Sequence, residues 1–337
     1  MRESVRAAVV GAGGWGTALA ALMAKRGHQV VLWSFEEHVA ASIERNRGNP
    51  YLDGVTLPES LGVTTDLATA VGGAELVLSV SPSQFVGRVM GAAAPHLRPN
   101  AIVVSASKGI ELDTLRSMDQ VLGSFLPAGI MDRFCVLSGP SFAAEVARET
   151  PTAVVVASRN AEAARRVQAL LQTEHFRVYT NPDVVGVELA GALKNVIAVG
   201  AGMAAGLGAG HNTLAALITR GLAEITRLGV ALGAERATFS GLAGMGDLVL
   251  TCTGSLSRNR TVGYRLGRGE KLTEILADMT AVAEGVKTAE AVHALAARHG
   301  VEMPISEQVH AIVHEGRSPV DAMRALMLRD PKPEEWS

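Results

Sequence analysis

A chain of 337 residues with 48% hydrophobic side chains can bury two substantial cores, and no run of about 18 apolar residues lacks charge, so no membrane insertion is expected. The net charge of −2, with acids and bases interspersed and no basic run, argues against a nucleic-acid partner. Two cysteines, Cys135 and Cys252, far apart and with no secretion signal ahead of the first strand, fit a reducing compartment and a cytoplasmic protein.

The first predicted strand, Val5-Arg6-Ala7-Ala8, runs into Val9-Val10-Gly11-Ala12-Gly13-Gly14-Trp15-Gly16, and Ala18 to Lys25 then reads as helix. Gly11, Gly13 and Gly16 therefore fall on a strand-to-helix turn, the context a dinucleotide-binding G-x-G-x-x-G needs. The first glycine allows a tight turn, the second lets backbone approach a pyrophosphate, and the third lets helix pack on strand. The helix N-terminus offers its free N–H groups to the anion. With 36 glycines the spacing can arise by chance; its place between first strand and alanine-rich helix favours the nucleotide over a structural turn.

His28 to Trp33 reads as the second strand of a βαβ unit, ending in Ser34-Phe35-Glu36-Glu37. An acid at that end can bind ribose hydroxyls, but Ser34 and Glu37 also make a capping box for the next helix, the reading preferred here. Further strands are expected at Glu75 to Val80, Ala101 to Ser105, Phe134 to Leu137 and Ala153 to Ala157. The turns Ser81-Pro82-Ser83-Gln84, Ser107-Lys108-Gly109 and Ser138-Gly139-Pro140-Ser141 follow three of them. In a doubly wound, mostly parallel sheet all three should face the ligand crevice beyond the strand carboxyl ends.

From about Thr180 strand-like runs give way to helical patterns. The expected organisation is a Rossmann-type dinucleotide-binding domain over 1–183, an all-helical substrate and catalytic domain over 184–329, and a frayed tail over 330–337. The apolar stretch Val184 to Gly210 holds Glu188, Lys194 and Asn195, so it reads as a buried core helix capped by Asp183. Its five glycines between 200 and 210 predict a break or very tight packing.

Lys194-Asn195 lies within that apolar stretch. A desolvated lysine loses preference for its charged form and suits general acid–base work, whereas a lysine on an amphipathic helix can snorkel to water; the sequence weighs the two equally. Gly241 to Asp247, Thr251 and Ser257-Arg258-Asn259 form a second group. Asp247 can accept from a substrate hydroxyl or hold a lysine ammonium, and Ser257-Arg258-Asn259 resembles a helix start that could grip a phosphate or simply cap a surface helix. His310 and His314 sit one helical turn apart, but with no third ligand evident a solvated face is the better reading.

These residues resemble the bacterial NAD(P)-dependent sn-glycerol-3-phosphate dehydrogenases over nearly the whole chain. The likeness runs through Gly11 to Ala20, Lys108-Gly109, Ser138 to Ala143, Glu188 to Met203, Ile218 to Glu224, Gly246 to Thr253, Ser257 to Arg260 and Glu284-Gly285. It implies a Rossmann domain followed by an all-α domain of the 6-phosphogluconate-dehydrogenase-like type, with the active site between them. By position, Gly14, Trp15, Ala143, Val282 and Glu284 would contact NAD or NADP, beside Gly11, Gly13 and Gly16. Lys108 would touch cofactor and substrate. Gly139, Ser141, Asp247, Ser257, Arg258 and Asn259 would hold dihydroxyacetone phosphate or sn-glycerol 3-phosphate, with Arg258 also near the cofactor. Asn195 and Thr251 would line the substrate site, and Lys194 would be the proton donor and acceptor. No metal is required.

The resemblance also implies a homodimer and a supply role in glycerophospholipid synthesis. Family members often carry Arg or His where this chain has Phe35, which cannot pair with a 2′-phosphate, so the choice of NADH or NADPH stays open. The rival readings are a β-hydroxyacid or ketopantoate dehydrogenase with a catalytic lysine, and a non-catalytic NADH-binding redox sensor.

Overall fold

The computed structural model describes residues 4–279 and 283–334. The chain divides into two compact units, Met1–Lys108 with Arg116–Val184, and Gly109–Leu115 with Val185–Ser337.

The first unit is built on an eight-stranded sheet: β1 (Arg6–Val10), β2 (Gln29–Trp33), β3 (Gly62–Thr64), β4 (Leu76–Ser79), β5 (Ile102–Ser105), β6 (Cys135–Ser138), β7 (Thr152–Ala157) and β8 (Phe176–Asn181). The spatial order is β3-β2-β1-β4-β5-β6-β7-β8. Every pairing is parallel except β6 with β7. Strands β4, β5 and β6 are buried at every position, which is why they read as unbroken apolar runs. Two strands were not expected. β8 buries Phe176 and Val178 but exposes Arg177, Tyr179 and Thr180, so this edge strand lacks the apolar run that marks the centre. β3 is three residues long and too short to carry a pattern.

Helix Gly14–Lys25 buries Ala18, Leu19, Ala20, Ala21 and Met23 against the sheet, and Gly27 follows it at φ 93°. The next helix, Glu37–Asn46, corrects one expectation. Its first flanking residue is Glu36, and no side chain caps it. The Ser34 hydroxyl instead donates to the Glu36 carbonyl at 2.9 Å, so Ser34 and Glu37 form no capping box.

The second unit is helical, around the buried helix Val184–Gly206. This helix is long and apolar enough to cross a bilayer, yet it is buried inside the protein along nearly its whole length. It runs through Gly200 and Gly202 and ends at Gly206, ahead of Gly208 at φ 82°, so both the expected break and the expected tight packing fall in this glycine stretch. It crosses helix Arg258–Gly267 with main chain against main chain. A Cβ on Gly202 would lie 2.1 Å from the Arg260 carbonyl oxygen, and one on Gly206 would lie 2.3 Å from that of Tyr264. Reciprocally, a Cβ on Gly263 would meet the Val199 oxygen at 1.9 Å, and one on Gly267 the Met203 oxygen at 2.4 Å.

Glu224, on helix His211–Ala231, closes the N-terminus of helix Pro304–Glu315. Its carboxyl accepts from the Ile305 and Ser306 N–H groups at 2.7 and 3.1 Å and from the Ser306 hydroxyl at 3.1 Å. Burial outweighs these donors and pushes its pKa up to about 7. Asp330–Glu334 is exposed, but Lys332 pairs with Glu302 at 2.7 Å and Arg220 donates to the Glu334 carbonyl, which tethers that stretch.

Candidate active site

The candidate site of the first unit is made of backbone. Gly11 ends β1 at φ 125°, a conformation closed to other L-residues, and a Cβ there would lie 2.9 Å from the Val80 carbonyl. A Cβ on Gly16 would lie 2.0 Å from the Gly11 carbonyl oxygen, so only glycine lets the helix start this close to the strand end. The first intrahelical bond runs from Thr17 N–H to the Gly13 carbonyl, leaving the N–H groups of Gly14, Trp15 and Gly16 unbonded within the helix. A Cβ on Gly13 would meet nothing within 4 Å, which leaves open space before those donors. Ala143 stands beside the turn, its Cβ 3.7 Å from the Cβ position of Gly14. The indole N–H of Trp15 is buried with no acceptor among the described residues. A strained glycine turn, unbonded N–H groups and open space in front of them fit a dinucleotide pyrophosphate.

Asn49 fixes this turn, and the sequence reading missed it. Its amide donates to the Ala12 carbonyl at 2.9 Å and to the Thr17 hydroxyl at 2.7 Å, and its carbonyl accepts from Tyr51 N–H at 2.8 Å. The Asn49-Pro50-Tyr51 turn signal was visible, but nothing local says that it folds back 37 residues.

The three expected turns do share the carboxyl edge, since β1, β4, β5 and β6 are mutually parallel. They also bind one another. The Ser107 hydroxyl donates to the Ser81 carbonyl at 2.6 Å, Lys108 Nζ to the Gly139 carbonyl at 3.3 Å, and the Ser141 hydroxyl to Gly139 at 2.9 Å. Lys108 and Ser141 are half-buried, so polar groups line this edge at the end of β6.

A separate candidate cluster, within the helical unit, is made of side chains. Lys194 is 5% exposed, which excludes snorkelling. Its ammonium donates to Thr251 Oγ1 at 2.7 Å and Asn195 Oδ1 at 3.2 Å, and lies 3.3 Å from Asp247 Oδ1. Asp247 and Thr251 are four residues apart on helix Asp247–Thr253 and so present one face to the lysine. Thr251 donates its own proton to the Asp247 main-chain carbonyl at 2.6 Å, which leaves its lone pairs for the ammonium. The preceding glycine segment lets this helix begin tightly: a Cβ on Gly244 would lie 2.1 Å from the Phe239 carbonyl oxygen.

Asn259 joins this group from the next helix. Its carbonyl accepts from Gly285 N–H at 2.9 Å and its amide donates to Asn195 Oδ1 at 2.9 Å. Asn195 Oδ1 thus receives both Asn259 and Lys194, so its orientation is set by two donors rather than assumed. Ser257 caps helix Arg258–Gly267, its buried hydroxyl accepting from Arg260 N–H at 3.2 Å. Arg258 is exposed at that N-terminus and has no hydrogen-bond or ion-pair partner among the described residues. Glu284 begins helix Glu284–His299 next to Gly285. Val282 lies outside the described residues.

Other candidates are set aside by their surroundings. Cys252 is buried and its thiol pushed up to about 12, as is that of Cys135, so neither is a nucleophile. His310 stacks on His293 at 4.1 Å between ring centroids and stands 5.0 Å from His314. Among the described residues no three His, Cys, Asp or Glu side chains are grouped as a metal would need.

Two family models cover almost the entire chain. The N-terminal model of NAD-dependent glycerol-3-phosphate dehydrogenase matches residues 6–164 and the C-terminal model matches 183–324. The chain belongs to this family. A glycerol-3-phosphate dehydrogenase [NAD(P)+] from Geobacter metallireducens is 58% identical over 97% of this chain and 98% of its own length. Its counterpart from Geobacter sulfurreducens is 56% identical over 99% and 100%. The solved glycerol-3-phosphate dehydrogenase of Coxiella burnetii superposes with a TM-score of 0.92 at 39% identity, covering 97% of this chain and 99% of that one. A ketopantoate reductase from Ralstonia eutropha, at TM-score 0.60 and 17% identity over 94% of this chain and 99% of its own, shares the fold. As a glycerol-3-phosphate dehydrogenase the protein is an NAD(P)-dependent oxidoreductase, which sets aside the sensor and ketopantoate readings.

Proposed function

We propose that the protein reduces dihydroxyacetone phosphate to sn-glycerol 3-phosphate, reversibly, with Lys194 as the proton donor and acceptor. The observation that carries this assignment is a buried ammonium with three oxygen acceptors in a dehydrogenase chain that also bears a nucleotide turn. The reduced nicotinamide, when bound, supplies the hydride to C2.

The chain's own residues supply the rest. Lys194 turns one N–H from its protein acceptors to the C2 oxygen and gives up the proton as the alkoxide develops; water restores it afterwards. Asp247 and Thr251 hold the ammonium in place and charged until then, and Asn195 fixes its third direction. The Arg258 guanidinium and the N–H groups after Ser257 suit the phosphate, with the remaining amide hydrogen of Asn259 beside them. Lys108, Gly139 and Ser141 complete the substrate set. Gly14, Trp15, Ala143, Val282 and Glu284 are read as cofactor contacts, with Gly11, Gly13 and Gly16 shaping the turn and Arg258 and Lys108 serving both ligands.

The same reading makes the protein a cytoplasmic supplier of the glycerophospholipid backbone, acting as a homodimer. Two buried free thiols support the reducing compartment, and exposed Met245, Val249 and Leu256 on the helical unit support self-association.

The deciding test is an initial-rate assay with dihydroxyacetone phosphate and reduced nicotinamide, run beside unphosphorylated dihydroxyacetone. Wild type should strongly prefer the phosphorylated ketone. Arg258→Ala should lose most of its kcat/KM on that ketone and little on the other. Equal losses on both would remove Arg258 from the phosphate site.

A further inference from the structure

Phe35 follows β2 and is 68% exposed, and Phe85, in the first turn of helix Ser83–Ala93 after β4, is 42% exposed. Between them stands Arg88. Its guanidinium carbon lies 6.0 Å from the Phe35 ring centroid and 5.4 Å from that of Phe85. Trp33 backs Phe35 edge-on, with centroids 6.3 Å apart and planes at 62°. The result is a column of aromatic ring, guanidinium and aromatic ring, three residues apart on the helix side and anchored to the β2 end on the other.

Stacking occupies the faces of a guanidinium and leaves its N–H edge available. Among the described residues Arg88 has no carboxylate or hydrogen-bond partner, so that edge is not used by the protein. The location matters. β2 and β4 flank β1 in the sheet, so Phe35 and helix Ser83–Ala93 bracket the glycine turn at the same carboxyl edge. In this type of sheet the residue ending the second strand meets the adenosine ribose, and a nearby arginine accommodates a 2′-phosphate. The acid beside Phe35 is occupied elsewhere: Glu36 Oε1 accepts from the Tyr51 hydroxyl at 3.2 Å.

We propose that Arg88, held between Phe35 and Phe85, is the cation that receives the 2′-phosphate of NADP(H), replacing from helix Ser83–Ala93 the basic side chain that Phe35 cannot provide. This rests on the reading of the glycine turn as a nicotinamide-dinucleotide site. It makes the two phenylalanines presenting residues for Arg88 and turns the departure at position 35 into a relocation of charge.

The test is binding, measured by titration calorimetry with 2′,5′-ADP against 5′-ADP and with NADP+ against NAD+. Wild type should bind the 2′-phosphorylated member of each pair more tightly, with the margin narrowing as salt rises. Arg88→Ala should weaken 2′,5′-ADP and NADP+ about tenfold or more and leave 5′-ADP and NAD+ within about twofold, a tenfold change being one lost charge-assisted contact. Arg88→Lys, which keeps the charge without the planar stack, should fall between, and Phe35→Ala should lose part of the margin. Unchanged NAD+ affinity in the variants confirms that they fold. Equal affinities in wild type, or equal losses on both members of a pair in Arg88→Ala, would overturn the proposal. Discrimination retained in a protein that fails to reduce dihydroxyacetone phosphate would support it while removing the substrate assignment.

Discussion

The glycine turn and the lysine cluster solve opposite problems. Along the glycine turn much of the surface is main chain, and at Gly11, Gly14 and Gly16 side chains are absent because a Cβ there would collide with a carbonyl 2.0 to 2.9 Å away. Around Lys194 the surface is side chains from three helices, and Lys194 Nζ, Thr251 Oγ1, Asn195 Oδ1 and both amide heteroatoms of Asn259 bond within the protein. On the proposed function the first would recognise a ligand by shape and N–H direction, and the second would store a proton. A backbone site should therefore fail by distortion, and a side-chain site by loss of one function with structure retained.

Lys194→Ala gives the largest separation of the two. Positioned proton transfer is worth about 10²- to 10⁴-fold, so kcat should fall by that order while NADH affinity, followed by its fluorescence, stays near wild type. Near-normal kcat would end the assignment of the lysine.

Stability against pH tests a group that belongs to neither site. The folded-state pKa of Glu224 lies near 7, above the ordinary 4.5, so between those values the folded chain holds a proton that the unfolded chain has lost. Its contribution is fully present below about pH 4.5 and is lost as pH rises through about 7, on the order of 3 kcal/mol at most. Urea melts of wild type and Glu224→Gln from pH 5 to 8 should show this falling component in wild type alone. A wild-type curve no steeper than that of the variant would rule it out.

Gly16→Ala attacks the glycine turn. The new methyl has no room, so the turn must shift, at a cost of about 1–3 kcal/mol in a denaturant melt, and nucleotide affinity should drop with it. Retained affinity would show that the turn can relax without consequence.

The smallest effect sharpens the comparison from inside the lysine cluster. Asn259→Asp keeps the acceptor for Gly285 N–H but cannot donate to Asn195, so one buried hydrogen bond is lost. A fall in kcat of about tenfold, with a displaced pH–rate profile, is expected. A change in KM for the phosphorylated ketone alone would instead make Asn259 only a phosphate contact.

Legibility follows the same division. The glycine turn was readable because it is contiguous: strand, three glycines and helix lie within about 20 residues. The central strands were readable from apolar runs, whereas β8, with its alternating exposure, was not. For Lys194 the sequence left burial and snorkelling equal, because an apolar neighbourhood in sequence does not say which face of a helix is covered. The option that Asp247 holds the ammonium was visible, and the 3.3 Å pair realises it. The Asn195–Asn259 bond spans 64 residues and had no local signal. Ser34 and Glu37 had the spacing of a capping box, but the helix begins two residues later than that motif requires. Arg88 was passed over because its meaning comes from two rings on different elements.

The crossing of Val184–Gly206 with Arg258–Gly267 bears on how the Lys194 amine keeps its aim. Where helices meet through long side chains, rotamer hops let their spacing breathe; here four glycines bring peptide planes into direct contact, and no side-chain torsion lies between the two axes at those points. The gap from Lys194 to the Ser257–Asn259 start of the second helix is thus gauged by main-chain van der Waals contact a few residues away. Warming the protein would loosen its periphery long before it widened that interval.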